Sequence, residues 1–420
     1  MARAGLKSLF GRLATVWRSK DRRYWLTAAV VLAVTLYATP WVNKQLGLNS
    51  VRYKMFQATG ALTGRPLRAR YTKIVAITND DYIKGSGGIS PVNRAYLARI
   101  VTALNGAHVP IIALDFILHF ADQRQTPVHV GDYSSVGNVK EVDALVSAII
   151  AAADDDTKII LPIDIRPVKG TDSYLVVPAI YQAYGICTKL VADGVWDSSG
   201  APGFKLSPKA RKNINCGYIE LPIDPRQIPP LIDLHQKWRI ASLSLAIAAA
   251  RDPQAAETVG SSTKFTTSLP PSNREPVSAG KLIQGDQAVL DALRPSAVIV
   301  GGMWNAHDKP EPVDQHPGLT GNISGVLMHE NFTEGILDGR LVTPLPDWVR
   351  FAIEAILGIG FAFAFAAFSQ FWAKLVLLAG IAAGLLLVQW LLFALLASFL
   401  DAFLPLLSLA LHSILEKLLE

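Results

Sequence analysis

The chain has 420 residues, half of them hydrophobic, and a formal net charge of +6. That length is more than one small domain needs, and the positive mean hydropathy is too apolar for an ordinary soluble protein. Lysine and arginine form no dense stripe interleaved with aromatics in the middle of the chain, which argues against a nucleic-acid partner.

The apolar excess collects at the two ends. Residues 1–24 are basic, with Arg3, Lys7, Arg12, Arg18, Lys20, Arg22 and Arg23 against a single acid, Asp21. The run WLTAAVVLAVTLYATPW that follows is uncharged and aromatic at both ends, and predicts a first membrane helix over 25–42. The basic flank would hold the N-terminus in the cytoplasm. A cleaved signal peptide is the rival reading; the long basic lead and the lack of a small-x-small cleavage site favour an uncleaved anchor.

Between the apolar ends, residues 43–347 form one substantial extracytoplasmic domain. Its apolar runs predict strands over 73–77, 110–118, 158–165 and 297–301, with shorter ones at 174–177 and 218–221. Helical spacing marks 94–104, 142–153, 238–251 and 326–337, and the Ser, Thr, Pro and Gly of 260–276 read as an exposed loop. Pro91 stands near the start of the first of these helices, where proline is tolerated. Strand–helix alternation with nearly continuous apolar strands predicts an α/β domain, a doubly wound and mostly parallel sheet. Cys187 and Cys216 are the only cysteines; in an oxidising compartment they can close a loop worth about 3 kcal/mol, or stand as two buried thiols.

The C-terminal end repeats the membrane signal. Residues 348–371 are apolar apart from Arg350 and Glu354, residues 375–400 are uncharged, and 402–418 form a last apolar segment that spans or lies along the interface. Lys374 suits a cytoplasmic turn and Asp401 an outer one, so four helices return the C-terminus to the cytoplasm. Ala379, Gly380, Ala382, Ala383 and Gly384 suit close helix packing, although lipid-facing sequence can look the same.

Candidate chemistry gathers at strand ends. Asp80 and Asp81 follow the first strand and Asp115 lies in the second. Acids at the carboxyl edge of a parallel sheet can hold a metal or act as acid and base. Equally, Asp80 or Asp81 can cap a turn, and Asp115 can pair with Arg94 or with backbone. There is no G-x-S-x-G and no H-E-x-x-H, and KGSGGIS lacks the P-loop ending and reads as a flexible turn. Residues 154–156, three aspartates, read as a solvated connection, and His119, His129 and His329 lack metal-ligand spacing. No enzyme, metal site or cofactor is expected.

The late stretch AVIVGGMWNAHDKPEPVDQHPGLTGNISGVLMHENFTEGILDGR adds the strongest signal. With the opening acids and the apolar ends, it resembles the CHASE2 family of bacterial extracytoplasmic sensory domains. The family's features fall on Asp80 and Asp81, Pro91 and Arg94, Asp115, the pair Gly301 and Gly302, and then Gly325, Val326, His329 and Asn331; the stretch from Asp143 to Leu145 matches imperfectly. Thr78 and Asn79 displace the first acid, and Ser90 and Val92 stand where the family has tryptophans. The resemblance implies an inner-membrane sensor that signals through its helices to a kinase or cyclase, with a tentative ligand set of Asp80, Asp81, Arg94, Asp115, His329 and Asn331. His329 and Asn331 would meet an anion at a helix start, or cap that helix and pin the late strand. No such effector precedes Glu420, so the expectation is a bilayer-anchored homo-oligomer read by a separate signalling or envelope protein. A purely structural docking component is the alternative.

Overall fold

The computed structural model describes residues 69–87, 92–118, 139–167, 174–177, 206–221, 227–233, 239–266, 275–304, 314–317, 322–346, 371–396 and 398–399, with single positions between 25 and 62 and between 348 and 363. The chain divides into two compact units, Pro66–Leu341 on the one hand and Met1–Arg65 with Val342–Glu420 on the other.

In the central unit the elements run β1 (Thr72–Ile77), α1 (Arg94–Gly106), β2 (Ile111–Asp115), α2 (Val139–Asp154), β3 (Lys158–Pro167), β4 (Tyr174–Val177), β5 (Ile214–Tyr218), α3 (Leu243–Arg251), β6 (Val277–Ser278), α4 (Ala279–Ile283), β7 (Ala297–Gly302) and α5 (Gly325–Leu337). The strands lie in the order β6-β1-β7-β2-β3-β5, all parallel, and β4 pairs antiparallel with the far half of β3.

Successive strand residues point to opposite faces, and both faces are buried. Val75, Ile77, Ile112, Leu114, Val298 and Val300 pack with Leu97, Ile100 and Leu104 of α1 and Leu145 and Ile149 of α2. Ile74, Ala76, Ile111, Ala113 and Ile299 pack with Leu243 and Ile247 of α3 and Val326 and Ile336 of α5. The doubly wound, mostly parallel α/β sheet expected from the apolar runs is therefore present.

Local chemistry sets the helix starts. Asn93 caps α1 by accepting from the Tyr96 amide, and Ser242 caps α3 by accepting from the Leu245 amide. The helix read over 238–251 is thereby corrected. Arg239–Ala241 is a strand paired with Leu231–Asp233, and the helix begins only after Ser242. Strand β2 is also shorter than expected and ends on Asp115, while the strand read at 218–221 lies earlier, at Ile214–Tyr218. At Gly301 a Cβ would stand 2.6 Å from the Val326 side chain, so the glycine lets α5 cross directly over β7. KGSGGIS is built rather than loose in its described part: a π-helical turn covers Asp81–Gly85, Gly85 lies under the Tyr96 ring, and Ser86 Oγ accepts from the Asn93 amide at 3.1 Å. The three aspartates of 154–156 are each engaged, Asp154 by Ser207, Asp155 by Asn105 and Asp156 by Lys209.

Strand β1 is held at its start by a buried carboxylate. Glu334 of α5 accepts from the amides of Arg70 and Tyr71, both at 2.9 Å, and from that of Thr72 at 2.7 Å.

The other unit contains α6 (Phe371–Leu396). Its Phe393 ring meets Phe56 at 5.6 Å, and Gln389 Nε2 donates to Thr59 Oγ1 at 2.9 Å. The Trp25 and Phe363 rings meet at 4.6 Å, tilted by 49°, and Thr343–Pro344 pairs with Ser398–Phe399. Among the described residues no helix is long and apolar enough to cross a membrane. The nearest is α6, 26 residues with helical backbone, although several of its side chains are outside the description. The spans read at 25–42 and 348–371 retain only single described positions, and 402–418 lies outside the described residues.

Replacing Glu334 with Ala would strand three amides, all of them at least partly buried. A loss of about 3 kcal/mol is expected, and about half that for Glu334→Gln, which keeps one acceptor oxygen. Thermal unfolding of the purified chain, followed by near-ultraviolet circular dichroism, measures both.

Candidate functional site

Parallel strands place their carboxyl ends along one edge, where α/β proteins bind ligands. Here that edge holds a cavity of about 410 Å³. Its walls come from the residues just past β2 (Phe116, Ile117, Leu118), from Asp164 in β3, and from Ile219, Glu220 and Leu221 after β5. Gly302 and Trp304 after β7, Asp314 and His316, and Val92 and Arg94 at the start of α1 complete the lining.

Asp115, the last residue of β2, is the central acid. Its side chain is 10% exposed and accepts no hydrogen bond from a described residue; His329 Nε2 lies 3.7 Å away. Burial, reinforced by the charge of Asp314, pushes the Asp115 carboxyl up to about 8, so it is mostly protonated at neutral pH. His329 lies beneath it on α5. Nε2 is 3.0 Å from the Ile219 carbonyl and Nδ1 is 3.3 Å from Ser244 Oγ. A carbonyl only accepts, so Nε2 carries the proton. Burial pulls His329 down to about 4, against the Ile219 carbonyl and Asp314, and the imidazole is neutral.

Asp314 is ionised. Burial raises its carboxyl, but the hydrogen bond and charge of His316, 3.0 Å away, and the charge of His329 outweigh it and hold it below the usual value. A second pair of acids faces the same cavity: burial and the neighbouring Asp164 raise the Glu220 carboxyl above its ordinary value. The Arg94 guanidinium is buried and donates to the Val92 carbonyl at 2.7 Å. Trp304 stacks at 4.8 Å on Tyr82 and at 6.4 Å on Phe116, forming an aromatic wall.

Of the residues singled out from sequence, Arg94 and Asp115 line the cavity and His329 supports it from below. Asp80, Asp81 and Asn331 do not line it. Asp80 is exposed and pairs with Lys84 at 3.5 Å. Asp81 is a structural clamp: its carboxylate accepts from the amide and hydroxyl of Thr78, from Ser278 Oγ and from the Gly280 amide, tying the end of β1 to α4. Asn331 is buried within α5, where its carbonyl faces Thr266 Oγ1 at 3.5 Å. The capping role read for His329 and Asn331 is corrected. The helix starts at Gly325, whose amide donates to the Asp314 carbonyl and where a Cβ would meet the Asp314 carboxylate. Both residues therefore stand inside the helix, and His329 pins α5 to α3 and to Ile219 rather than to the late strand.

Asp164, Glu220, Asp314, His316 and Trp304 escaped the sequence reading. The one local signal was an acid interrupting an apolar strand, as in IDI at Asp164. Among the described residues no group of three or more His, Cys, Asp or Glu could hold a metal ion. Cys216, buried on β5, is disulfide-bonded. Cys187, with His119, His129 and Pro91, lies outside the described residues.

The central unit is thus a mostly parallel α/β sheet with an acid- and aromatic-lined cavity at its carboxyl edge. The CHASE2 domain model matches residues 27–367, and the chain belongs to that family of extracytoplasmic sensory domains. No curated protein and no solved structure matches it.

The two central titrations oppose each other. His329, lowered on folding, removes stability as pH falls from about 6.5 to 4; Asp115, raised on folding, removes it as pH rises from about 4 to 8. Between pH 6.5 and 8 only Asp115 acts, so the melting temperature should fall across that window. Asp115→Asn should flatten the fall, as thermal unfolding at stepped pH will report.

Proposed function

We propose that the chain is an extracytoplasmic sensory subunit of the bacterial inner membrane, anchored by its apolar ends, whose ligand occupies the cavity at the sheet edge and whose state is read by a separate signalling protein. The observation that carries this reading is Asp115, a buried carboxyl with no hydrogen bond among the described residues, opening into a cavity in a fold of a sensory family. A binding role is favoured over an enzymatic one by the match to a sensory family.

The anchor is supported by an inside-out helix. Along α6, Val376, Leu386, Leu387, Val388, Leu395 and Leu396 are exposed while Gln389 is buried against Thr59. Apolar side chains outward and an amide inward suit lipid rather than water. At about 1.5 Å per residue the helix would be roughly 39 Å long, more than the ~30 Å hydrocarbon core. A four-helix topology with the basic N-terminus inside follows from the charge pattern.

Transmission has a physical route. Helix α5 carries His329 under the cavity and, further along the same helix, Glu334, which grips the chain where it leads into β1. A ligand that shifts α5 therefore shifts the segment leading toward the apolar N-terminal end, and a partner or second copy can respond. The chain should stay in the membrane pellet after alkaline carbonate, and a signalling enzyme should co-purify in fixed ratio under mild detergent. Release by carbonate would remove the anchor, and a stoichiometric envelope assembly without a signalling enzyme would favour a docking role instead.

A further inference from the structure

The described lining of the cavity is rich in acids. Among the described residues four carboxyls line it, from Asp115, Asp164, Glu220 and Asp314, with one guanidinium and one imidazole. His316 is committed to Asp314, and Arg94 donates to the Val92 carbonyl. In each acid pair one carboxyl is driven toward its protonated form by burial and by its neighbour. No described cation other than Arg94 and His316 reaches the lining; Arg166 acts on Glu220 from along β3.

An independent observation points the same way. The Asp115 side chain is nine-tenths buried, faces the cavity, and among the described residues accepts no hydrogen bond. Its nearest polar atom belongs to His329, whose Nε2 proton is directed to the Ile219 carbonyl. A buried acceptor left open costs about 1–3 kcal/mol unless something donates to it. Trp304, stacked on Tyr82, also lines the cavity and adds aromatic surface, whose electrons attract a positive charge.

We propose that this cavity binds an organic cation, a small molecule with at least one protonated amine, which donates to Asp115 and lies against Trp304. The inference rests on the cavity being the sensory site and names the chemical class it senses. An anion would meet the described acids, and a neutral polyol would bring no charge to offset them. A cation alone lets the carboxyls ionise, so binding expels a proton into solvent. The groups that set this linkage are Asp314, His316, His329 and Arg94 around Asp115, and Asp164 and Arg166 around Glu220.

The experiment is calorimetric titration of the full chain in detergent with tyramine and spermidine, beside succinate and glucose, at pH 6.5 and 8. An amine should saturate the protein and bind about tenfold more tightly at the higher pH, because the ionised form of Asp115 gains population. Repeating the titration in buffers of different ionisation enthalpy should show proton release. Asp115→Asn should weaken the amine at least tenfold and abolish the pH dependence, with its melting temperature showing that it folds. Glu220→Gln is a second variant, expected to weaken binding without removing the dependence due to Asp115. Binding of succinate or glucose in place of amines, amine binding indifferent to pH and to Asp115→Asn, or no binding by either amine would each overturn the proposal. Amine binding with no co-purifying effector would instead keep the cation site and remove the sensory reading.

Discussion

Glu334 holds the central domain together at the point where the chain enters the sheet. One carboxylate receives three consecutive amides, those of Arg70, Tyr71 and Thr72, from the far end of the sequence. Those amides lead into β1, which lies between β6 and β7 and sets their register. A strand start carries donors that need acceptors, and a helix lying across the sheet supplies one. The same helix can lie there because Gly301 removes the Cβ that would strike Val326.

The consequence is that α5 has two ends with different duties. Near its start His329 supports the floor of the cavity, bound to Ile219 and facing Ser244 on α3. Further along, Glu334 fixes the incoming chain. A rigid helix joining a ligand cavity to the segment that leads toward the apolar end is the element a two-state sensor needs. Asp81 performs a related task at the other end of β1, where it clamps the turn to α4. The two acids that flank β1 in space are thus structural, while the acid that ends β2 is left open toward the cavity.

Much of the fold was legible because apolar periodicity reports burial directly. β1, α1, α2, β3, β7 and α5 all lie within a few residues of their expected positions. Where reading failed, a longer-range interaction decided. The pattern over 238–251 is apolar enough for one helix, but pairing of Ile240 with Ile232 takes the first residues into a strand. Asp81 and Asp115 look alike in sequence, each an acid at or near a strand end. Only the crossing of α4 past Asp81 distinguishes a satisfied carboxylate from an open one.

By itself the sequence determined the class of protein: two apolar ends, a parallel α/β middle, and the motif order of the CHASE2 family, because hydrophobic spacing and residue order are local properties. It also carried Arg94, Asp115 and His329 to the right neighbourhood. Only the tertiary structure decided which acids matter. Asp164, Glu220, Asp314 and His316 are scattered over about 150 positions and meet because strand ends from distant segments share one edge. Whether an acid there is a clamp, a surface charge or an open acceptor depends on donors brought by other elements, and no stretch of sequence contains both partners.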